Sequence, residues 1–240
     1  MATCSRSASG SACSSGCARV RPSRSSRTAA AGGWEPACGG WATSSTESAS
    51  GGDGYPPPVP DLVAPHPRYR RSFLAAVAEY PPAEAREAGL VLFDATNHHP
   101  GERFSAIELA DRDVFAAYCR RLNELDDPAA VPPLMVPSTI LWWLEGDEYL
   151  GRISIRHQLT PFLLEQGGHI GYGVRPSARR RGHATAMLAA VLPHAAALGI
   201  DPVLVTCDDT NIASRKVIEA AGGELEDQRG VKLRYWVPTT

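Results

Sequence analysis

One stretch in the second half of the chain, residues 174–185, constrains the fold more than any other. It reads Val-Arg-Pro-Ser-Ala-Arg-Arg-Arg-Gly-His-Ala-Thr, after a short apolar run with two glycines and before a long run rich in alanine and leucine. This order predicts a strand, a basic loop with a glycine, and then a helix. The first turn of a helix has backbone N–H groups without partners and carries partial positive charge. Three arginines and a glycine beside these groups predict a cradle for a pyrophosphate, which we place at residues 179–185.

The first 58 residues differ in composition from the rest of the chain. They contain no Leu, Ile or Phe, so they cannot bury enough apolar surface to offset their chain entropy. We therefore expect residues 1–58 to be a disordered Ser/Gly/Arg-rich extension and residues 59–240 to form one folded domain. The first acidic residue is Glu35, as in an organelle transit peptide, but the apolar stretch of a secretory signal is missing. We favour a non-functional extension over a targeting peptide.

The overall composition argues against several classes of partner. A net charge of −2 gives no general attraction to nucleic acid or to an acidic membrane, and no apolar run is long enough to span a membrane. Cys119 and Cys207 are expected to be small buried side chains in a reducing compartment, which predicts a cytoplasmic location. The other four cysteines, and the adjacent His98 and His99, lack the spacing of a metal site, so no metal is expected.

Before the cradle, periodicity and capping signals predict strands and helices in mixed order. A short strand is expected at 62–64, followed by a helix that Pro67 opens. Asp111 is the predicted N-cap of a second helix. The buried face of that helix is expected to consist of Val114, Phe115, Tyr118 and Leu122. Residues 138–144 and 149–157 then read as a hairpin, and residues 158–168 as a linker.

After the cradle helix, the pattern continues with a buried strand at 203–207 and a helix that starts near Asn211 and ends at Gly222. A second hairpin, from residues 224–226 and 231–237, closes the chain. The order of elements predicts an α+β class, with a central mixed sheet and helices packed against it.

Two motifs on these elements resemble those of the GCN5-related N-acetyltransferase (GNAT) family. The family's acyl-CoA motif, Gln/Arg-x-x-Gly-x-Gly/Ala, is met by residues 179–184, directly after a Val-x-Pro strand end. The second signature, Asn-x-x-Ser on the helix after the next strand, is met by residues 211–214. Two motifs on the right elements in the right order are more specific than either alone. The run at 167–176 also looks like a subgroup of predicted bacterial acetyltransferases, and the resemblance covers roughly residues 60–237.

The resemblance implies a GNAT, or acyl-CoA N-acyltransferase, fold whose central sheet splays apart to hold acetyl-CoA as co-substrate. The strand-end backbone at Tyr172, Gly173 and Val174 would pair with the pantetheine. The residues implied to hold the pyrophosphate are Arg179, Arg180, Arg181, Gly182, His183, Ala184 and Thr185. Asn211 and Ser214 would reach the pantetheine side.

The catalytic groups are less defined, because Ile218 stands where the family often has a tyrosine that protonates the departing thiolate. Ser214, Tyr235 or water are the candidates to replace it. His169 takes the place of a carboxylate that many members use as a base, and His157 is the second candidate. Strand parity places His169 on the same face as Gly171 and Gly173, so we expect empty space beside it for an acceptor. The alternative is a hydrogen-bonded histidine that only supports the sheet.

These residues together predict an N-acetyltransferase that moves an acetyl group from acetyl-CoA directly to a primary amine of a small molecule or a protein. The alternative is a catalytically silent acyl-CoA-binding sensor of the same fold, because the family tyrosine is replaced. No nucleic acid or membrane partner is expected. The acceptor amine, the acyl chain preference and the choice between monomer and homodimer stay open at this point.

Overall fold

The structure is a computed structural model that describes residues 59–93 and 101–240, which belong to one compact unit. Residues 1–58 and the two adjacent histidines at 98 and 99 lie outside the described residues, so the expectations for them stay predictions. No helix in the described ranges is long and apolar enough to cross a membrane. Cys119 and Cys207 are both buried and unpaired, as predicted.

Nine strands and five α-helices make up the described part of the chain. The strands are β1 (Asp61–Val63), β2 (Val91–Phe93), β3 (Glu102–Arg103), β4 (Ser138–Glu145), β5 (Glu148–Arg156), β6 (Ile170–Val174), β7 (Val203–Asp208), β8 (Glu224–Arg229) and β9 (Lys232–Val237). The α-helices are α1 (Arg70–Val77), α2 (Ala106–Leu109), α3 (Arg112–Glu124), α4 (His183–Ala197) and α5 (Ile212–Ala220). A π-helical turn lies at Leu163–Gly167.

Seven of the strands form one sheet in the order β1-β4-β5-β6-β7-β9-β8. Every neighbouring pair in it is antiparallel except β6 and β7, which run parallel. The predicted α+β class with a mixed sheet is therefore confirmed. Strands β2 and β3 form a separate two-stranded sheet that the sequence patterns did not predict.

The main sheet has apolar side chains on both faces, and each face is covered by different helices. On one face, Leu141, Ile153 and Ile170 pack in a core with Met187 of α4 and Ile218 of α5. The other face carries a second core. That core includes Ile140, Trp142 and Tyr149 of the sheet, Phe73 of α1, and Phe115, Tyr118 and Leu122 of α3. The alternation of side chains along each strand explains why neighbours in sequence belong to different cores.

Two local expectations before the cradle need correction, and one helix there was not predicted. Asp111 caps α3 as predicted, but Val114 is 39% exposed, and Cys119 takes the fourth place on the buried face. Helix α2 was not predicted, although Ser105 and Glu108 form the capping box that begins it. The expected linker at 158–168 contains the π-helical turn at 163–167.

Candidate functional site

The site is built on the one parallel strand pair of the main sheet. Strands β6 and β7 pair at a single position, Ile170 with Val205, and then diverge. Beyond this position a cleft of about 230 Å³ opens between the two strands. Its walls include Gly171 and Tyr172 of β6, Cys207 and Asp208 of β7, and Asn211 and Ser214 at the start of α5. A split at the carboxyl ends of parallel strands is a common place for a ligand in α/β structures.

The cradle has the backbone geometry that a phosphate site needs. Gly182 is the N-cap of α4, with φ of +83° and no side-chain hydrogen bond to the helix. A Cβ at Gly182 would meet nothing within 4 Å. Arg180 also has a positive φ, of 65°. The N–H groups of His183, Ala184 and Thr185 belong to the first turn of α4, where an intrahelical acceptor is lacking. These donors, together with the helix dipole, favour an anion at this position.

The three arginines of the cradle have different environments. The Nη2 atom of Arg179 lies 2.6 Å from the Oε2 atom of Glu84, and its Nε donates to the carbonyl oxygen of Val174 at 3.1 Å. Arg179 therefore holds the loop to the first half of the domain. Arg180 and Arg181 are exposed and make no ion pair within the described ranges. These two side chains supply the free positive charge of the cradle.

A hydrogen-bonded pair of hydroxyl groups spans the split. The hydroxyl of Tyr172 on β6 lies 2.6 Å from the Oγ atom of Ser214 on α5. Burial raises the pKa of Tyr172 to about 12, so the hydroxyl stays protonated near neutral pH. The side chain of Asn211 caps α5, because its Oδ1 accepts from the N–H of Ser214 at 3.0 Å. The sequence pointed to Tyr172 only for its backbone, although strand parity placed its side chain on the face opposite His169, which α5 covers in the structure.

His169 is engaged with the neighbouring strand instead of an open acceptor site. Its side chain is only 8% exposed, and its Nδ1 accepts a hydrogen bond from the N–H of Leu204 at 2.9 Å. The N–H of His169 in turn donates to the carbonyl oxygen of Leu204 at 2.7 Å. Burial, with a smaller contribution from Arg156, lowers the pKa of His169 to about 4. This geometry favours the alternative in which the histidine supports the sheet.

The empty space predicted beside His169 is found only in part, because the chain fills it at Gly173 while Gly171 lines the cleft. A Cβ at Gly173 would lie 2.9 Å from the carbonyl oxygen of Glu87. A Cβ at Gly171 would lie 3.4 Å from the Nη2 atom of Arg156. The two glycines therefore admit a backbone segment and a guanidinium group. Gly173 leaves no vacant space on this face, whereas the space at Gly171 is open to the cleft.

The other two catalytic candidates do not line the cleft. The Nε2 atom of His157 lies 2.8 Å from the Oγ1 atom of Thr139, and burial lowers the pKa of this histidine. Tyr235 is 1% exposed, and its hydroxyl is 3.4 Å from a carboxylate oxygen of Glu219. As catalytic groups both stay predictions. The split brings together Tyr172, Asn211 and Ser214 from the predicted set.

The cleft has one ion pair of its own, between the Nζ atom of Lys232 and the Oδ1 atom of Asp208 at 2.6 Å. Within residues 59–93 and 101–240, no group of three or more His, Cys, Asp or Glu side chains is placed to hold a metal ion.

Comparison with known proteins relates part of this domain to a known family. The family model of the acetyltransferase (GNAT) domain matches residues 110–224. No curated protein matches the sequence. Mycobacterium smegmatis RimJ, solved in complex with CoA-disulfide, is 18% identical over 75% of this chain and 82% of that chain, with a TM-score of 0.51. Salmonella typhimurium YncA, solved with acetyl-CoA, is 13% identical over 75% and 94% of the two chains, with a TM-score of 0.45. At such identities the likeness to RimJ shows a shared fold, and the expected GNAT fold is confirmed.

Proposed function

Because residues 110–224 carry a GNAT acetyltransferase domain, we propose that this chain transfers the acetyl group of acetyl-CoA directly to a primary amine. Enzymes with this domain are acyl-CoA-dependent N-acyltransferases. The acceptor would be a small molecule or a protein. The observation that carries the proposal is the split between β6 and β7, which lies beside a helix N-terminus whose first-turn donors are open. The N-terminus of α4 would bind a pyrophosphate, and the split between β6 and β7 would hold a linear chain that carries a thioester.

Binding of acetyl-CoA would use the two ends of the site in different ways. The pyrophosphate would accept hydrogen bonds from the first-turn N–H groups of α4 and lie against Arg180 and Arg181. The pantetheine would run into the split along the backbone of β6 at 172–174, where the strand has left its partner. Asn211 and Ser214, which line the cleft, would face the thioester end.

In the proposed reaction, the neutral amine nitrogen attacks the thioester carbonyl carbon. The C–N bond forms, the C–S bond breaks, the nitrogen gives up one proton, and the sulfur leaves as a thiolate that takes up one proton. One hydroxyl of the Tyr172 and Ser214 pair donates to the other, so the two hydroxyls would together supply one hydrogen bond to the sulfur: Ser214 would donate to Tyr172, and Tyr172, which stays protonated, would donate to the sulfur. They would take the place of the tyrosine that Ile218 replaces, since Ile218 is fully buried and carries no proton to give.

Release of free thiol from acetyl-CoA, followed across a panel of amines, amino acids, aminoglycosides and peptides, tests the proposal. We expect release that depends on the amine, with formation of the N-acetyl product confirmed by mass. The silent sensor is the second candidate, favoured by the absence of the family tyrosine at Ile218. Calorimetric binding of acetyl-CoA without thiol release for any amine would establish the sensor and overturn the transferase. The cytoplasmic location, the oligomeric state and the acyl chain preference stay predictions.

A further inference from the structure

One arginine lines the cleft on the face of the sheet opposite α4 and α5. Arg156 is the last residue of β5, and its guanidinium lies beside Gly171 at the closed end of the split. Its Nη1 donates to the carbonyl oxygens of Gly167 and Gly168, each at 3.1 Å. A guanidinium has five N–H donors. The contacts made within the described part of the chain leave Nη2 and Nε of Arg156 for another acceptor.

The surroundings of Arg156 are positive. Arg152 lies on the same face of β5, four residues earlier, and Arg86 lies near enough to affect the same guanidinium. Burial and then repulsion by these two side chains lower the pKa of Arg156 to about 10, which leaves it charged at neutral pH. Within the described ranges, neither Arg152 nor Arg156 forms an ion pair with a carboxylate. Asp208, the acidic residue that lines the cleft, is held by Lys232.

Gly171 connects this charge to the reacting end of the split. The position of its missing Cβ lies 3.4 Å from the Nη2 atom of Arg156 and 3.3 Å from the Oγ atom of Ser154. An amine that reaches the split at Gly171 therefore brings its neighbouring substituent against the guanidinium. A carboxylate or a phosphate there would receive two charge-assisted hydrogen bonds from a fork that matches its geometry.

We propose that the acceptor of this transferase carries an anionic group, a carboxylate or a phosphate, close to its amine, and that Arg156 binds this group. The inference rests on the proposed function, because it takes the thioester to lie in the split. Acceptors of this kind are α-amino acids and aminoalkyl phosphates. A peptide N-terminus lacks the anion, since its carboxyl carbon is in an amide. The positive charge also favours the neutral form of a nearby amine, which is the form that attacks.

Matched acceptor pairs test the proposal with the full chain. Each pair shares the same amine and differs in the anion: an α-amino acid against its carboxamide, and phosphoethanolamine against ethanolamine. Because the anion also raises the pKa of the amine, kcat/KM is compared per concentration of neutral amine. We expect the wild-type kcat/KM to be higher for the anionic member by about tenfold to a hundredfold, the range for a hydrogen bond to a charged group. Arg156→Gln should abolish this preference by raising KM for the anionic member, with the KM for acetyl-CoA unchanged. Arg120→Gln, at an exposed position of α3, is the matched control and should keep the preference. A preference for the carboxylate pair or the phosphate pair identifies which anion is used.

A second variant and a binding measurement separate failure of this inference from failure of the proposed function. Gly171→Ala should weaken the preference without removing charge, because its methyl group would occupy the space through which the acceptor's anion reaches the guanidinium. It therefore serves if Arg156→Gln does not fold. Calorimetry of each acceptor with the CoA-saturated protein needs no turnover. Binding of the anionic member alone, without thiol release, would overturn the proposed function and leave only the anion site at Arg156 standing. Acetylation of both members at equal rates, or equal losses for both in Arg156→Gln, would overturn this inference and leave the transferase intact.

Discussion

Gly182 allows backbone strain and ligand contact to be separated by experiment. It has φ of +83° and no atom within 4 Å of the position that a Cβ would take. An alanine there would be strained without a clash, and the left-handed conformation costs a non-glycine residue about 1–2 kcal/mol. For a domain of this size, that free energy corresponds to a fall in Tm of about 2–8 °C. Gly199, just beyond the other end of α4, has φ of +75° and equally open surroundings.

Gly182→Ala and Gly199→Ala should therefore lose similar stability in a thermal unfolding scan. Only Gly182→Ala should also lose affinity for acetyl-CoA, because its methyl group projects where the pyrophosphate is expected and shifts the first-turn N–H donors. Loss of one charge-assisted hydrogen bond predicts a Kd that is about tenfold to a hundredfold higher, measured by calorimetry at a temperature where both variants are folded. A wild-type Kd for Gly182→Ala, or an equal loss in both variants, would refute the assignment of the cradle.

Three other predictions concern single side chains of the site. Tyr172→Phe should lower kcat for thiol release by about 100-fold with little change in Kd for acetyl-CoA; an unchanged kcat would remove the hydroxyl from the chemistry. His169→Ala should destabilise the fold by about 1–3 kcal/mol, because it leaves the N–H of Leu204 buried without a partner. Since folding lowers the pKa of His169 from 6.5 to about 4, its contribution to the free energy of unfolding is present above about pH 6.5 and is lost as the pH falls toward 4. Urea unfolding of the wild type should therefore give a lower free energy at pH 5 than at pH 7.5. An equal decrease in His169→Ala would assign the effect to other groups. Arg180→Gln should weaken acetyl-CoA binding more than Arg179→Gln does, because Arg179 is already paired with a carboxylate; equal losses in calorimetry would contradict this division.

Most of the elements could be predicted from the sequence because their signals are local. The strand, basic loop and helix around Gly182, and the caps at Asp111 and Asn211, depend on residues that are close together in the chain. Helix α2 had such a signal as well, in the capping box of Ser105 and Glu108, which the sequence analysis missed. Val114 was misplaced because the sequence pattern defines the buried face of a helix only to within about one residue. The packing of α3 against the sheet decides how the helix is rotated about its axis.

The surroundings of the site could not be predicted, because they come from segments far apart in the chain. The space beside Gly173 is filled by the carbonyl group of Glu87, more than eighty residues earlier. The partner of His169 is a backbone N–H of β7, so an apparent base becomes part of the sheet. Arg156 gave no signal at all, since a lone arginine at a strand end is usually a solvated one. Only the tertiary arrangement places it at the closed end of the split.

The single bridge between β6 and β7 determines which parts of the domain unfold locally with the least free energy. At this seam the seven-stranded sheet is two half-sheets, of four and three strands, which share one ladder position. Cooperativity between the halves must therefore pass through side chains and helices, including the imidazole of His169 and the hydroxyl pair of Tyr172 and Ser214. Amide protons of residues 171–174 and 206–208 that face the seam belong to the easily opened part of the molecule, while those between β4 and β5 are protected by a continuous ladder. A ligand bound between β6 and β7 would accept and donate the backbone hydrogen bonds that these strands do not make with each other. Its binding should therefore slow hydrogen exchange at the seam more than elsewhere in the sheet.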